Sequence, residues 1–488
     1  MNRLVVVSNR VPSVGQGTQA GGLAVALSGL MEQRGGLWFG WSGGISDDHT
    51  VKAHTDGAVQ YARIDLTQTE HDRFYNDFSN STLWPLLHSM PELMSFDRRS
   101  AQVYRAVNQR MTDALVPLLR PNDLLWLHDY HLMAMPAMLR ARGVEGPIGF
   151  FLHIPFPSAD MLASVPEAGA LIRDLLAADL IGFQTSNDVE NFAEAAHRLA
   201  GATRLTGGWL HLNGRRVRLG AFPVEIEARE FAATAETAWR AAPTERLRRS
   251  LQGQKLVLGV DRLDPTKGLI QRLAGYRRLL ETRPDWRRRV TLLQIAAESR
   301  KDVSAYRELR EAVDRVGGAI NSEWSEPDWT PLRIVARAGA RATMAGYMRE
   351  ARVGLVTPLR DGMNLVAKEY IAAQDPQDPG VLVLSRFAGA ARQLGAALLV
   401  NPHDADELAD VLDTALRMSL AERQERWQAC WRAIDGSTPL GWGRNFLATL
   451  LRAGSVAPAN SGTGPRLLAA PRLVSDATPA RQQEARPA

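Results

Sequence analysis

The sequence predicts an α/β fold in which two Rossmann-like, doubly wound domains face each other across a cleft. Short apolar stretches of strand length alternate with helix-like segments from the first residues onward, which is the pattern of a parallel sheet covered by helices. A charged helical stretch that ends near residue 252 interrupts this alternation, which then starts again. The chain has 488 residues, too many for one hydrophobic core, so two domains are expected.

The strand candidates give the order of the two domains. They lie at residues 4–7, 37–41, 124–127, 148–153, 180–183 and 217–222 in the first domain, and at 256–260, 290–295, 353–357, 381–384 and 398–400 in the second. We expect the first domain to span 1–225 and the second 226–435. A helix at about 436–452 is expected to return to the first domain, and the segment 454–488, rich in Ala, Pro, Arg and Ser, is expected to be a disordered tail.

Composition excludes several classes of protein. With 45% hydrophobic and 23% charged residues the chain is typical of a globular protein, and its single cysteine, Cys430, permits no internal disulfide. No apolar run approaches the ~20 residues of a membrane span, and no signal peptide precedes the first strand, so a cytoplasmic protein is expected. The net charge of +5 is not concentrated in a basic stripe with interleaved aromatics, so neither nucleic acid nor a membrane is expected as a partner. A homo-oligomer is expected, with a subunit number that the sequence does not determine.

The stretch VGLVTPLRDGMNLVAKEY, residues 353–370, predicts a strand, a glycine turn and the start of a helix. Pro358 ends the strand because proline has no amide to donate, and Asn364 is a plausible N-cap for a helix over 365–374. Free amides at such a helix start favour a phosphate or a diphosphate. Asp361 is placed to contact a group in front of the loop, and Glu369 to accept hydrogen bonds from the hydroxyls of a ribose. The alternative is a pair of solvated acids.

Polar side chains follow the strands of both domains at their carboxyl ends, where α/β sheets bind ligands. The candidates are Arg10, Asp129 and His153 in the first domain and Arg262, Lys267 and Arg300 in the second. Arg262 and Lys267 flank one turn and are expected to converge on the same diphosphate as the amides of 362–365, unless they are simply exposed cations.

A second phosphate is expected between Arg10 and Arg300, because these arginines come from opposite domains. The aromatic segment FYNDFSNSTLWP supplies Tyr75 and Trp84 for a sugar face or a phosphate, with core packing as the alternative. Gly21 and Gly22 let a backbone approach a phosphate at a helix start, although such a pair is also common at a plain loop-to-helix junction.

Together these motifs resemble the trehalose-6-phosphate synthases, which are retaining glycosyltransferases of the GT-B fold. The similarity spans about residues 3–450 and is carried, in order, by SNRVP, the Gly21-Gly22 pair, FGWSG, FYNDFSNSTLWP, LHDYHL, GFFLHIPFP, DRLDPTKG and RDGMNLVAKEY. It implies transfer of glucose from a nucleotide-glucose, with UDP-glucose expected and GDP or ADP left open, to glucose 6-phosphate. The product is then α,α-trehalose 6-phosphate.

The resemblance also implies roles for individual residues. The acceptor is expected to contact Arg10, Tyr75, Trp84, Asp129 and Arg300, and the choice of acceptor anomer to depend on Trp84 and Ile154. The donor is expected to contact a larger set, which comprises Gly21, Gly22, His153, Arg262, Lys267, Gly339, Asp361, Gly362, Met363, Asn364, Leu365, Val366, Ala367, Lys368 and Glu369. The catalytic set is expected to be Asp129, His153, Arg262, Lys267 and Asp361, with no metal and no cofactor, because the cations and the helix start can neutralise the leaving group.

Three positions depart from the family's pattern. Glu225 stands in FPVEI where a glycine is usual, Glu298 lies close to Arg300, and Gly339 occupies a position where a bulky residue often borders the nucleotide. No carboxylate is nominated as a covalent nucleophile, so the resemblance implies front-face attack in which a departing phosphate oxygen takes the acceptor proton.

Three other functions fit parts of the pattern. A same-fold transferase could use glycerol 3-phosphate or a cyclitol phosphate, because Arg10, Tyr75 and Arg300 recognise phosphate and not the ring. A catalytically silent sugar-phosphate sensor is disfavoured by the joint presence of Asp361, Arg262 and Lys267. A sugar-nucleotide epimerase has no use for a second phosphate clamp.

Overall fold

The computed structural model describes residues 2–12, 22–300, 303–337 and 339–455. Within these residues the chain forms two largely parallel sheets covered by helices, which confirms the predicted fold class. The predicted glycine at 21 and the tail from 456 onward lie outside the described residues.

The first sheet has ten strands among the described residues, in the order β3-β4-β2-β1-β5-β6-β7-β10-β9-β8. Its strands are β1 Leu4–Arg10, β2 Gly36–Ile45, β3 Lys52–Asp56, β4 Val59–Leu66, β5 Leu124–His128, β6 Ile148–Phe151, β7 Leu180–Phe183, β8 Thr203–Leu205, β9 Trp209–Leu212 and β10 Arg215–Ala221. The central strands are parallel, while β3, β9 and β8 join as antiparallel edges. These edge strands and β4 were not predicted. β3 is exposed throughout, and β8 and β9 are short and mostly half-buried.

The helices that follow in the first half are α1 Gly22–Arg34, α2 Gln68–Glu70, α3 Trp84–Leu87, α4 Arg98–Leu115, α5 Met135–Ala141, α6 Ala159–Leu162, α7 Ala168–Leu175 and α8 Ser186–Ala200. Between α2 and α3 the chain forms a π-helix, His71–Leu83, which carries most of the aromatic segment. The wider turn of a π-helix is rare, and single π turns occur often at functional sites. This π-helix places Tyr75 and the following Trp84 at the carboxyl edge of the sheet.

The second sheet has six parallel strands among the described residues, in the order β13-β12-β11-β14-β15-β16. They are β11 Lys255–Arg262, β12 Val290–Ala297, β13 Leu332–Val335, β14 Val353–Val356, β15 Val381–Ser385 and β16 Leu398–Val400. Of these, only β13 was not predicted. The remaining helices are α9 Ala228–Trp239, α10 Ala242–Leu251, α11 Leu269–Thr282, α12 Ser304–Trp324, α13 Arg341–Glu350, α14 Leu365–Ala373, α15 Ala405–Arg417, α16 Leu420–Ile434 and α17 Pro439–Gly454.

The crossover between the two cores lies within three residues. Val224 packs in the apolar cluster under the first sheet, whereas Ile226 belongs to the cluster under the second. The helices α9 and α10 follow the crossover and pack on the second sheet's side. At the other end of the chain, α17 packs back on the first sheet, where the Phe446 ring stacks on Trp126 at 4.5 Å. The chain therefore crosses twice between the sheets and holds their carboxyl edges face to face.

Candidate active site

Arg300 is the most extensively contacted cation of the site. It follows β12, and its guanidinium lies 3.9 Å from the centre of the Trp84 ring. One nitrogen donates to the Tyr130 hydroxyl at 3.1 Å and another contacts the Tyr306 hydroxyl. Although burial disfavours the charge, the oxygens of Tyr130, Tyr306 and Asp264 raise the pKa of Arg300 above its usual value. Arg300 is thus a fixed positive charge that second-domain and first-domain residues hold in place together.

Asp264 holds the cations of the second domain in position. Its carboxylate is fully buried, accepts from the Tyr306 hydroxyl at 3.1 Å, and lies 3.8 Å from both Arg300 and Arg262. Burial alone would raise the pKa of Asp264, but the surrounding cations hold it far below its usual value. Arg262 is about half exposed and lies 5.9 Å from the Trp84 ring, so its guanidinium stays available to a ligand.

Arg10 lies at the far end of an aromatic series that leads to Arg300. Its guanidinium sits 5.8 Å from the Trp41 ring, and Trp41 packs against Tyr75 at 5.4 Å. The Tyr75 ring stacks on His131 at 5.8 Å, and His131 contacts Tyr130, which accepts from Arg300. The two arginines predicted to share a phosphate therefore border one aromatic floor.

Lys267 and Asp361 form an ion pair at the carboxyl edge of the second sheet. The Asn364 side-chain amide donates to the same Asp361 oxygen at 3.0 Å. Burial alone would raise the pKa of Asp361, but Lys267 and then these hydrogen bonds hold it below its usual value. The loop acid is therefore ionised, and a ligand phosphate has to compete with it for the lysine.

Asn364 caps α14 as predicted, since its side-chain oxygen accepts from the Ala367 amide at 3.1 Å. Its backbone is left-handed, with φ of 73°, and so are those of Asp129 at 72° and Arg300 at 45°. A non-glycine residue in this conformation is uncommon, and such strain collects at functional sites. Three of the residues predicted for the site thus carry backbone strain that the surrounding structure has to maintain.

Gly362 marks the point where the two domains approach most tightly at the loop. A Cβ atom at this position would lie 2.2 Å from the carbonyl oxygen of His153, which belongs to the first domain. No L side chain fits there without separating the two backbones. The glycine of the loop is therefore required by interdomain contact and not only by the turn.

Asp129 and His153 sit together on the first-domain side. The His153 amide donates to the Asp129 carboxylate at 3.2 Å, and the His153 ring shares a hydrogen bond with His128 at 3.0 Å. Burial raises the pKa of Asp129 to about 6 and lowers the pKa of His153 to about 3. At neutral pH the imidazole is therefore uncharged and suited to exchange hydrogen bonds with a sugar hydroxyl. Ile154, the next residue, is buried in the first-domain core.

Glu369 lies one turn into α14, with a carboxylate oxygen 4.0 Å from Arg341. Burial raises the pKa of Glu369 to about 7, against a smaller opposing effect of Arg341.

Two positions that depart from the family's pattern are accommodated locally. A Cβ at Gly339 would meet the end of Met344 at 2.4 Å, so the small residue leaves room for that flexible side chain. Glu298 forms an ion pair with Arg310 at 3.3 Å, which compensates its charge near Arg300.

The structure does not bring every predicted donor residue to the cleft. The Lys368 ammonium is fully buried and donates to the Glu225 carboxylate at 2.7 Å and to the Val224 carbonyl at 2.8 Å. Met363 and Ala367 also pack in the second core, while Leu365 and Val366 are partly buried against it. Consecutive residues of a helix point in different directions around its axis. A continuous stretch of sequence therefore cannot direct all of its side chains into the cleft.

Sequence reasoning gave no role to three residues that the structure places against the site: Tyr306, Asp264 and His88. Tyr306 belongs to no motif, and only the fold brings its hydroxyl to Arg300. Asp264 lies inside DRLDPTKG, so its place between two predicted cations was a usable signal. His88 backs Trp84 by donating to its carbonyl at 2.8 Å, and burial lowers the pKa of His88 to about 4.

Two absences hold for the described part of the chain. There, no cluster of three or more His, Cys, Asp or Glu side chains has the arrangement of a metal site. The described helices also include none that is long and apolar enough to cross a membrane.

Two Rossmann-like domains, with ligand-binding edges that face each other and cations on both, define a glycosyltransferase of the GT-B class. The pattern of glycosyltransferase family 20 matches residues 3–452. The chain belongs to this family, which confirms the resemblance seen in the motifs.

Individual relatives are similar over nearly their whole length. A trehalose-6-phosphate synthase of Sinorhizobium fredii is 44% identical over 456 residues, which are 92% of this chain and 98% of that protein. The crystal structure of an α,α-trehalose-phosphate synthase (UDP-forming) from Burkholderia vietnamiensis has a TM-score of 0.92 and 45% identity, covering 94% of this chain and 99% of that one. A UDP-forming α,α-trehalose-phosphate synthase from Burkholderia xenovorans, crystallised with glucose-6-phosphate, has a TM-score of 0.89 and 43% identity, covering 92% and 100%.

Proposed function

We propose that this enzyme transfers glucose from UDP-glucose to glucose 6-phosphate, with retention of configuration, and forms α,α-trehalose 6-phosphate and UDP. The observation that carries the proposal is the presence of two separate cationic positions in one cleft. Arg300 and Arg10 border an aromatic floor, whereas Lys267 is paired with Asp361 in the loop before α14. Arg262, about half exposed, lies 5.9 Å from the Trp84 ring and is free to contact either anion. Two anionic substrates, a sugar phosphate and a nucleotide diphosphate, are what this arrangement fits.

In this proposal the first domain, 1–225 with the helix at 436–452, binds the acceptor. The phosphate of the acceptor lies between Arg10 and Arg300, with Tyr75 and Trp84 beside it. Asp129 accepts a hydrogen bond from an acceptor hydroxyl, and Trp84 and Ile154 restrict the acceptor anomer. The Burkholderia xenovorans relative, crystallised with glucose-6-phosphate, supports this choice of acceptor.

The second domain, 226–435, binds the donor. Its diphosphate meets Arg262, Lys267 and the free amides of 362–365, and Glu369 accepts from the ribose hydroxyls. The Lys267–Asp361 pair is near the point where the diphosphate leaves, so Lys267 can shift from Asp361 to the leaving phosphate as charge develops there. His153, uncharged at neutral pH, positions the donor sugar from the opposite domain. Gly21 and Gly22 are proposed to approach a donor phosphate through their backbone.

Front-face attack is the proposed chemical route. The acceptor hydroxyl attacks the anomeric carbon on the side from which UDP leaves, and a phosphate oxygen of UDP takes its proton. The protein then contributes position, exclusion of water and cations for the leaving group. A cytoplasmic location and a homo-oligomeric state stay predictions, which cell fractionation and light scattering test.

The test is product analysis with a matched pair of variants. Purified full-length protein is supplied with UDP-, GDP- or ADP-glucose and with glucose 6-phosphate, glycerol 3-phosphate or a cyclitol phosphate. We expect release of UDP and an α,α-1,1-linked product, identified by NMR, only with UDP-glucose and glucose 6-phosphate. Lys267→Ala is expected to lower kcat by roughly 10- to 150-fold, the loss of one charge-assisted contact.

Arg204→Ala is the matched control, since Arg204, on β8, the outermost strand at one end of the first sheet, forms an exposed ion pair with Glu190. The kcat of this variant is expected to equal that of the wild type. Faster turnover with another phosphorylated acceptor would replace the proposed substrate. Binding of both ligands without release of any nucleotide would establish a sensor instead of an enzyme.

A further inference from the structure

A second cavity lies behind the acceptor side of the cleft, between the two domains. It encloses about 390 Å³, and ligand pockets usually enclose roughly 300–1,000 Å³. One wall is the π-helix with the segment that follows it, and the other is formed by residues 265–266 and 303–307. Apart from Trp84, none of the side chains proposed for the acceptor or the donor lines it. The cavity is therefore distinct from the proposed active site and shares one aromatic wall with it.

Two buried donors at this cavity lack hydrogen-bond partners among the described residues. The side-chain amide nitrogen of Asn80 and the indole nitrogen of Trp84 each have none, although Asn80 is only 2% exposed and Trp84 only 7%. An unpaired buried donor is costly, usually by about 1–3 kcal/mol. Both residues line the cavity, but these two nitrogen atoms lie just beneath its surface, so a ligand hydroxyl reaches them only when the two side chains turn toward the cavity.

The lining indicates the class of ligand. Besides Asn80, its polar groups are mainly neutral amides and hydroxyls, among them Asn76, Ser81, Thr266 and Ser304. The charged groups balance, because Arg73 and Arg307 are matched by Asp77 and Asp97, and Arg73 lies 3.3 Å from both acids. Apolar atoms of Pro85, Met90, Leu93 and Val303 complete the wall. A neutral molecule with many hydroxyls and apolar C–H faces fits this lining better than a phosphate does.

The cavity wall is hydrogen-bonded to Arg300. The Tyr130 hydroxyl, which accepts from Arg300, donates to the Asn80 side-chain oxygen at 2.7 Å. Tyr306, which lines the cavity, contacts Arg300 through its hydroxyl and donates to Asp264. A ligand that binds both Asn80 and Tyr306 therefore stabilises the two phenols that orient Arg300, one from each domain.

We propose that this interdomain cavity binds an unphosphorylated mono- or disaccharide, and that its occupancy strengthens binding of the phosphorylated acceptor through Arg300. The binding itself follows from the cavity alone, whereas the coupling rests on the role proposed above for Arg300. The sugar binds preferentially to the conformation in which residues of both domains hold Arg300. Because the acceptor needs the same conformation, binding of the sugar raises the affinity for the acceptor through thermodynamic linkage.

The test uses the full-length protein with α,α-trehalose and glucose as probes. Saturating UDP and glucose 6-phosphate occupy the cleft, and calorimetric titration then reports binding of the probe elsewhere. We expect at least one probe to bind under these conditions. Ser304→Trp and Leu93→Trp fill the cavity from opposite domains and are both expected to abolish this binding. Glu311→Trp, an exposed position about two turns further along the helix that carries Ser304 and away from the cavity, is expected to retain it.

A kinetic measurement tests the coupling. Saturating probe is expected to lower the KM for glucose 6-phosphate by about fivefold in the wild type and to leave it unchanged in Ser304→Trp and Leu93→Trp. The proposed site would be overturned if the probe no longer bound once UDP and glucose 6-phosphate filled the cleft. It would also be overturned if both cavity-filling variants bound the probe as tightly as the wild type does. Probe binding without a change in KM would overturn the coupling. Because the titration needs no turnover, its outcome is independent of whether the proposed transfer reaction is correct.

Discussion

The buried pair between Lys368 and Glu225 yields a quantitative prediction about how the two domains are held together. Lys368 is on α14, the helix proposed to bind the donor, and Glu225 is at the crossover between the two cores. The lysine is 0% exposed and the glutamate side chain 7%, with 2.7 Å between nitrogen and oxygen. Burial lowers the pKa of Lys368, and the attraction of Glu225 opposes this effect. The charge is retained because its partner is present.

Lys368→Met removes the ammonium and leaves the Glu225 carboxylate buried with one remaining described donor, the Gln393 amide at 2.8 Å. Breaking a buried ion pair by removing one partner usually costs about 3–5 kcal/mol. The double variant Lys368→Met/Glu225→Gln carries neither charge, so we expect it to recover most of that loss. Lys368→Met is also expected to raise the donor KM, since the crossover no longer holds α14.

The assay is equilibrium urea unfolding of the wild type, the two single variants and the double variant, followed by intrinsic fluorescence, with donor kinetics measured on the same preparations. The reasoning is refuted if the free energy of unfolding of Lys368→Met lies within about 1 kcal/mol of the wild-type value, because a buried carboxylate without its ion-pair partner should cost more than that. It is equally refuted if the double variant is less stable than Lys368→Met. Either result would mean that the crossover is not held by this charge pair.

Three further predictions concern the cleft. Arg300→Ala is expected to raise the KM for glucose 6-phosphate by roughly 10- to 150-fold while the donor KM stays unchanged, and an equal rise in both would contradict its assignment to the acceptor. Gly362→Ala is expected to destabilise the protein by about 1–3 kcal/mol and to lower kcat/KM, since its methyl group meets a facing carbonyl oxygen at 2.2 Å. Gly395→Ala, where the added Cβ meets nothing within 4 Å, serves as the control, and equal thermal midpoints for the two variants would refute the clash. Glu369 has its pKa raised to about 7, so donor affinity, measured as UDP binding, is expected to rise with pH through 7 as the carboxylate ionises and accepts from the ribose. Glu369→Gln should flatten this rise, and an unchanged pH profile in that variant would show that another group titrates.

Local sequence patterns predicted most of the second sheet and its main loop. The strand before Pro358, the turn at Gly362 and the Asn364 cap all follow from backbone chemistry within a few residues, and the structure has each of them. The buried strands of both sheets were also found, because a strand covered on both faces is an almost continuous apolar run. The edge strands β3, β8 and β9 were missed because half-exposed strands lack that run.

By itself, the sequence determined the α/β class and which strand ends carry cations. These properties depend on apolar periodicity and on residues close together in the chain. Only the tertiary structure decided that Tyr306 and Tyr130 share Arg300, that Lys368 is paired with Glu225 instead of facing the cleft, and that a cavity lies behind Trp84. Each of these contacts joins residues that are far apart in the chain or that come from different domains. Local propensity carries no information about such pairs, because the packing of whole sheets and helices sets their distances.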